Sequence, residues 1–497
     1  MLVFNGLIST TVFLPLVGSL IIAVLLKKNS HIFFFARLVT LLNLILSGWV
    51  LFAYKMSESS EKFKLIDRYE NWIPFEFFKV EYYLGVDGFS APLILLTGLL
   101  TAVAVFSSKN ITYKVKQYFV CLLLLETAVM GVFSSLDLFL FFIFWELELI
   151  PMFFLIMVWG SGRKNYSAMK FLIFTLISGA LILFGILILF ATTKSFDMTM
   201  IPLLLQNKTL LIPMSFVFFI FFIAFAIKLP VWPLHTWLPD AHTDAPTAGS
   251  VMLAGVLIKM AGYGLIRICI GFFPESVSEY SLFIVILAVI NVIYGAVITM
   301  RQTDMKRLIA FSSISHMGFV LLGIAAFSGS YEDKITGLVG ASLQMFTHGT
   351  ITGLLFLIIG YIYEKTHTRY IPHMGGLVHQ MPRLSISLTI AGVAALGLPG
   401  TSGFISEIII FIGAFPVFNF FTAIGVFGVV LTSGYILWMI QRIMYGPQLE
   451  RFKNISDASI YEMIPVVILI ISILFVGLYP SFITEIFKNG IISMIGK

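Results

Sequence analysis

Long apolar runs separated by short polar breaks fill the chain from end to end. Runs of the length a bilayer requires, about 20 residues, lie at 3–26, 31–54, 84–107, 117–135, 137–159, 167–192, 210–229, 246–271, 279–300, 306–328, 335–362, 384–414, 416–443 and 462–486. The pattern predicts an all-α polytopic membrane protein of about 14 transmembrane helices, with no soluble domain. The first run is too long for the apolar core of a signal peptide and lacks a small-residue cleavage site, so it reads as a retained first helix. One long polar connection, 55–82, carries mixed charges ("EKFKLIDRYE") and is expected to pack on one face of the bundle.

Two runs contain clusters that break helices, "KLPVWP" at 228–233 and "GLPGTSGF" at 397–404. Each proline deletes a backbone donor that lipid cannot replace, so irregular backbone belongs only where it lines a cavity. Each cluster follows three to four ordinary spans. The chain therefore divides into 1–116 (the first three helices and the long connection), a five-helix unit at 117–271, a second at 272–445, and a last helix in 446–497. An odd number of helices per unit makes the two repeats inverted, each with a broken helix. Interrupted helices at matching places in two halves point to a transport site at the repeat interface.

Composition agrees with the setting. The chain is 59% hydrophobic and 11% charged, against about 25% charged in soluble domains. The net charge of +6 reports orientation, not nucleic-acid binding, because basic residues gather in short loops. One set of loops holds clusters such as Lys27, Lys28, Lys109, Lys114, Lys116, Arg163, Lys164, Arg301, Arg307, Lys365 and Arg369; the opposite set holds only Lys194, Lys208 and Lys334. The first set is expected on the cytoplasmic side, with both termini outside. Cys121 and Cys269 both lie in apolar runs and supply neither an iron–sulfur nor a cysteine-based zinc site. No phosphate loop or dinucleotide fingerprint is present, so the chain cannot harvest ATP or NADH by itself.

Against this background the ionisable residues inside apolar runs stand out: Glu126, Glu146, Glu148, Lys170, Lys228, Lys259, His316, His348 and Glu407. Intramembrane charges are functional candidates by default. Glu146, Lys259 and Glu407 fall near the middle of their runs, and Lys228 sits beside the break in its own. Such a row suits proton transfer, which needs groups that change charge reversibly; histidine titrates near neutrality and fits a relay. Glu148, two positions from Glu146, points to a different helix face and reads equally as a packing residue. Glu126 reads equally as a hydrogen-bonding partner of a neighbouring helix. Lys170 lies about one turn inside its run and reads as a snorkelling side chain. His235, Asp240 and His242, with Asp244, superficially resemble a metal site, but their place after the break favours proton uptake or a cap on the next helix.

The segments "FWELELIPM" (144–152), "IKLPVWPLHTWLPDAHTDAPTAGSVMLAGVLIKMAGYGLIR" (227–267), "DMKRLIAFSSISHMGF" (304–319) and "LPGTSGFISE" (398–407) together resemble the antiporter-like subunits of respiratory complex I, the proton-pumping NADH–quinone oxidoreductase. "HGTITGLLFLIIGYIYEKTHTR" (348–369) and the acid Glu407 resemble the M (chain 4) branch; the L and N subunits typically place a lysine there, and no long lateral helix follows the last span as in L. The resemblance implies fourteen helices with two inverted five-helix repeats. It implies Glu146 as the carboxylate paired with Lys228, Lys259 as the central relay, His316 and His348 continuing the path, and Glu407 as the exit carboxylate. Glu126 and Glu148 have no counterpart in the shared motif, and many relatives are apolar at the place of Glu148. It further implies a bacterial cytoplasmic membrane, L, N and small membrane subunits as partners, an indirect link to the peripheral arm, and no cofactor on this chain, with FMN, iron–sulfur clusters and quinone held by partners. The alternatives are a subunit of a multisubunit sodium (cation)/proton antiporter, which shares the fold and the lysines, and a membrane scaffold whose charges only lock helices together.

Overall fold

The computed structural model describes residues 3–4, 6–57, 62–74, 79–206 and 212–496. Among these, twelve helices are long and apolar enough to cross a membrane. The runs that carry "KLPVWP" and "GLPGTSGF" both break. Met214–Lys228 stops at the lysine and the chain resumes as Trp237–Asp244. The 384–414 run becomes Pro382–Ala395 and Ser402–Ala414.

Three helices form the centre. Thr247–Ile270, Met305–Ser328 and Tyr331–Thr366 are buried throughout their most apolar stretch. Around them Leu7–Val24, Asn29–Met56, Lys164–Thr193, Asn419–Met444 and Ile460–Leu478 bury only 33–39% of theirs. The outward side chains of this ring, among them Phe34, Ile45, Ile173, Phe427 and Ile471, are apolar, as a surface facing lipid or other subunits requires. The central Thr247–Ile270 helix is irregular: Leu253–Leu257 and Leu265–Ile270 are π-helical and flank an α-helical Ile258–Gly264.

The chain is mostly helical, as expected, and a small sheet accompanies the bundle. A three-stranded antiparallel sheet, in the order β1 (Val3–Phe4), β2 (Leu65–Pro74) and β3 (Lys79–Val86), pairs the start of the chain with the long connection and the residues that follow it. The 84–107 run thus starts as strand and becomes helix only at Ser90, because Val80, Leu84 and Val86 bury their apolar side chains from an extended backbone. Similarly, the 462–486 run is divided between Ile460–Leu478 and Ser481–Ile495, with Pro480 at the join. The sheet is tied to the bundle by two buried acids. Asp67 accepts from the Gly6 and Ser9 amides (2.7 and 2.8 Å) and the Ser9 hydroxyl. Asp87 receives both Arg267 terminal nitrogens (2.7 and 2.8 Å), from the central helix. Burial alone would raise the Asp87 carboxyl, but the Arg267 guanidinium holds it below its ordinary value.

Two backbone bridges match across the chain. Asp137 caps Leu138–Leu147 by accepting from the Phe139 and Leu140 amides; beside it Leu138 N donates to Phe196 O and Met198 N to Leu136 O, both 2.8 Å. Asp304 caps Met305–Ala325 through the Lys306 and Arg307 amides; beside it Met305 N donates to Arg369 O (3.0 Å) and Ile371 N to Thr303 O (2.8 Å).

Candidate functional site

The first broken helix delivers Lys228 into the protein interior as its last helical residue. The break leaves backbone groups that lipid cannot satisfy, and nearby side chains meet them. Asn291, fully buried on Ser281–Thr299, accepts from the Trp232 amide (2.7 Å) and donates to the Pro230 carbonyl (3.2 Å). The Trp237 indole donates to the Ile227 carbonyl (2.8 Å). Lys228 is 1% exposed and forms an ion pair with Glu148, which is 0% exposed; the ammonium also lies 4.3 Å from the centre of the Trp145 indole. This corrects the pairing of Lys228 with Glu146. Trp145, Glu148 and Met152 share the buried face of Leu138–Trp159, whereas Glu146 is rotated away by two positions. Glu146 is partly exposed, lies against Gly179 of Lys164–Thr193, and its Oε1 has no hydrogen-bond partner.

A second group forms one continuous chain. Lys259 is 0% exposed, and its Nζ donates to the Ala254 carbonyl within the π-helical turn and lies 2.8 Å from His348 Nδ1. The His348 and His316 rings follow, with centroids 5.4 Å apart. His316 Nδ1 is 3.4 Å from Glu407 Oε1. Glu407 leaves the first turns of Ser402–Ala414, just past the second break, and its other oxygen packs against Gly397. Gly397 has φ 75°, and a Cβ there would meet Glu407 Oε2 at 2.7 Å, so both the turn and the carboxylate require glycine. A small cavity, with space for about one water molecule (~10 Å³) and lined by Ser312, His316, Gln344, His348, Thr352 and Glu407 among others, lies along this chain. Four residues from four helical segments thus meet in the order Lys259, His348, His316, Glu407. Among the described residues no hydrogen bond joins them to the Lys228–Glu148 pair.

The family described as NADH:quinone oxidoreductase/Mrp antiporter, TM, matches residues 135–432, and the NADH-ubiquinone oxidoreductase chain 4 amino terminus matches residues 65–132. NADH-quinone oxidoreductase subunit M of Rickettsia bellii is 36% identical over 499 aligned residues, covering 99% of each chain. The chain belongs to the subunit M (chain 4) family of NADH–quinone oxidoreductase. NAD(P)H-quinone oxidoreductase chain 4 1 of a Synechococcus species is 39% identical over 96% of this chain and 90% of its own. Among solved structures, a chain of respiratory complex I from Thermus thermophilus superposes with a TM-score of 0.86 at 24% identity, covering 99% and 100% of the two chains. A chain of the Mrp complex from a Dietzia species gives 0.84 at 19% identity, covering 99% and 98%. These likenesses show the fold.

In this member of the subunit M family the remaining candidates separate. Asp240 is held between Lys170 (2.8 Å) and Arg307 (2.9 Å), so Lys170 is an ion-pair partner and not only a snorkelling side chain. His242 is fully buried, stacks on Phe356 with centroids 4.8 Å apart, and neither ring nitrogen has a partner. His235 packs edge-on to Tyr294, centroids 5.1 Å apart. No side-chain hydrogen bond links His235, Asp240 and His242 to one another among the described residues. Nor does any group of three or more His, Cys, Asp or Glu side chains converge as a metal site among them. Glu126 receives a hydrogen bond from Asn43 of Asn29–Met56 (2.7 Å) and is 0% exposed. Reading the sequence missed Asn43 and Asn291; each is a lone amide in an apolar run, which was the available signal.

Proposed function

We propose that this chain carries protons through the membrane arm of an NADH:quinone oxidoreductase, driven by electron transfer in partner subunits. The observation that carries the reading is the buried chain Lys259–His348–His316–Glu407, beginning in the π-helical turn and ending at the second broken helix. Each member gains or loses a proton without other chemistry, and each contacts the next. Lys228 at the first broken helix, with Glu148 as its carboxylate, is a second loading point. Glu146 is placed at the outer flank of that point. Glu407 is the exit carboxylate, and His242 and His235 lie on the uptake side, with Asp240 fixed by its two cations.

The matching bridges at Asp137 and Asp304 support reading 117–271 and 272–445 as inverted repeats, within a frame of 1–116 and 446–497. The protein is integral to a bacterial cytoplasmic membrane, with the lysine- and arginine-rich loops inside and both termini outside; Lys208, counted in the opposite set, lies outside the described residues. Its partners are the antiporter-like L and N subunits and the small membrane subunits. FMN, iron–sulfur clusters and quinone belong to partner subunits. A multisubunit cation/proton antiporter shares the fold, but the match of residues 65–132 to the chain 4 amino terminus favours the oxidoreductase.

The test uses the intact complex in membrane vesicles. Lys259→Ala and Lys228→Ala are expected to leave assembly on native gels unchanged and to abolish most quinone-dependent proton pumping. Arginine should substitute poorly at either place, because it does not release its proton. Normal pumping in an assembled Lys259→Ala complex would reject the path. Copurification with flavin and iron–sulfur subunits separates the oxidoreductase from the free antiporter.

A further inference from the structure

We propose that Glu148 is the counter-charge that loads Lys228, and that Lys228 is suspended between two carboxylates, Glu148 on its inner side and Glu146 on its outer side. The proposal rests on the proton-path reading above. Its basis is a division of labour between two acids two positions apart. Glu148 makes the ion pair, and both partners are sealed from solvent. Glu146 makes no ion pair, is partly exposed, and leaves one buried oxygen unpartnered against Gly179. Glu146 nevertheless lies within electrostatic reach of both Lys228 and Glu148.

Local backbone explains why both acids are available. Pro151 has no amide hydrogen, so the Leu147 carbonyl loses its helical donor, and the helix is interrupted at Glu148 between Leu138–Leu147 and Leu149–Trp159. In an unbroken helix, neighbours two positions apart face away from each other. Here the interruption falls on the residue whose carboxylate turns inward. Trp145 closes the third side of the lysine with an apolar ring, so the ammonium has two polar directions in which to move. A lysine side chain is long and rotatable, and Gly179 leaves room beside Glu146 where any Cβ would strike its carboxylate. Paired with Glu148, Lys228 is a charged, resting holder of one proton. Swung toward Glu146, it exchanges an N–H bond for an O–H bond on that acid or on water, and no other reactant is needed.

A scaffold role for Glu148 would need only charge balance, so the test compares variants by pumping. Glu148→Gln, Glu148→Asp and Glu146→Gln would be made in the intact complex and measured for proton uptake per quinone reduced, with assembly on native gels. Glu148→Gln is expected to assemble and to lose pumping about ten-fold or more. Glu148→Asp keeps the charge one methylene further back and should recover part of that loss. The double variant Glu148→Gln, Lys228→Ala should pump no worse than Lys228→Ala alone, since both remove one step. Parent-level pumping in Glu148→Gln, with Lys228→Ala inactive, would overturn this proposal while leaving the path intact. Parent-level pumping in Lys228→Ala would remove Lys228 as a loading point and this proposal with it. Should Glu148→Gln not assemble, Glu148→Asp against Glu146→Asp decides: the proposal expects the larger loss at 148, and the reverse order overturns it.

Discussion

His348 owes its place in the proposed path to contacts on both sides, with Lys259 Nζ on Nδ1 and the His316 ring next to it. A residue that only filled space there would tolerate an isostere, whereas a relay would not. His348→Gln is therefore expected to assemble and to lose most pumping, read as proton uptake by vesicles. Glu407 poses the complementary question of sign. A carboxyl and an amine can each hold and release a proton. Glu407→Asp and Glu407→Lys should consequently retain substantial pumping while Glu407→Gln and Glu407→Ala lose most of it; full activity in Glu407→Gln would mean that no proton passes through this side chain. The residues themselves were legible because charge inside an apolar run is conspicuous. Which of Glu146 and Glu148 faces Lys228 was not. The 137–159 run is apolar on every face, so no polar stripe showed which side was inward.

At the scale of elements, the proposed path is built on two breaks, and their sequences announced them through proline and glycine. The supports of the breaks were less visible. Asn291 satisfies a donor and an acceptor that Pro230 and Pro233 leave stranded, and it reaches them from a helix more than fifty residues away in sequence. Such a partner cannot be read from local pattern, although a single amide in an apolar run marks it as a candidate. Asn291→Leu removes both bonds and should cost about 1–3 kcal/mol per stranded group. The expected outcome is a lower melting temperature of the purified complex together with weakened pumping, because the lysine beside the break loses its fixed backbone. Asn291→Asp, which keeps the acceptor for the Trp232 amide, should do less harm. Equal thermal stability in Asn291→Leu and the parent would show that the break needs no external support. The sheet was likewise hidden, since valine and tyrosine positions in 79–86 merge into the apolar run that follows.

Across the whole molecule, the central helix Thr247–Ile270 is fastened at its two ends in different ways, with Lys259 between them. At one end Ser250 donates to the His242 carbonyl (3.0 Å), linking the helix to the first broken span. At the other, Arg267 grips Asp87 at the foot of β3, with Tyr263 and Phe89 stacked beside the guanidinium. The extramembrane sheet thereby holds the helix that carries the central lysine. A buried pair broken from one side leaves an uncompensated charge, which costs about 3–5 kcal/mol. Asp87→Asn keeps the shape of the acid and strands Arg267, so it should lower the thermal stability of the complex substantially. Pairing Asp87→Leu with Arg267→Met removes both charges and should recover much of that loss, since a buried ion pair contributes little net stability against apolar replacements. The decisive measurement is pumping in the stable double variant. If the tie serves only to hold the helix, pumping returns with stability. A double variant that is as stable as the parent yet fails to pump would mean that the Asp87–Arg267 charges act in pumping themselves and do not only hold the helix.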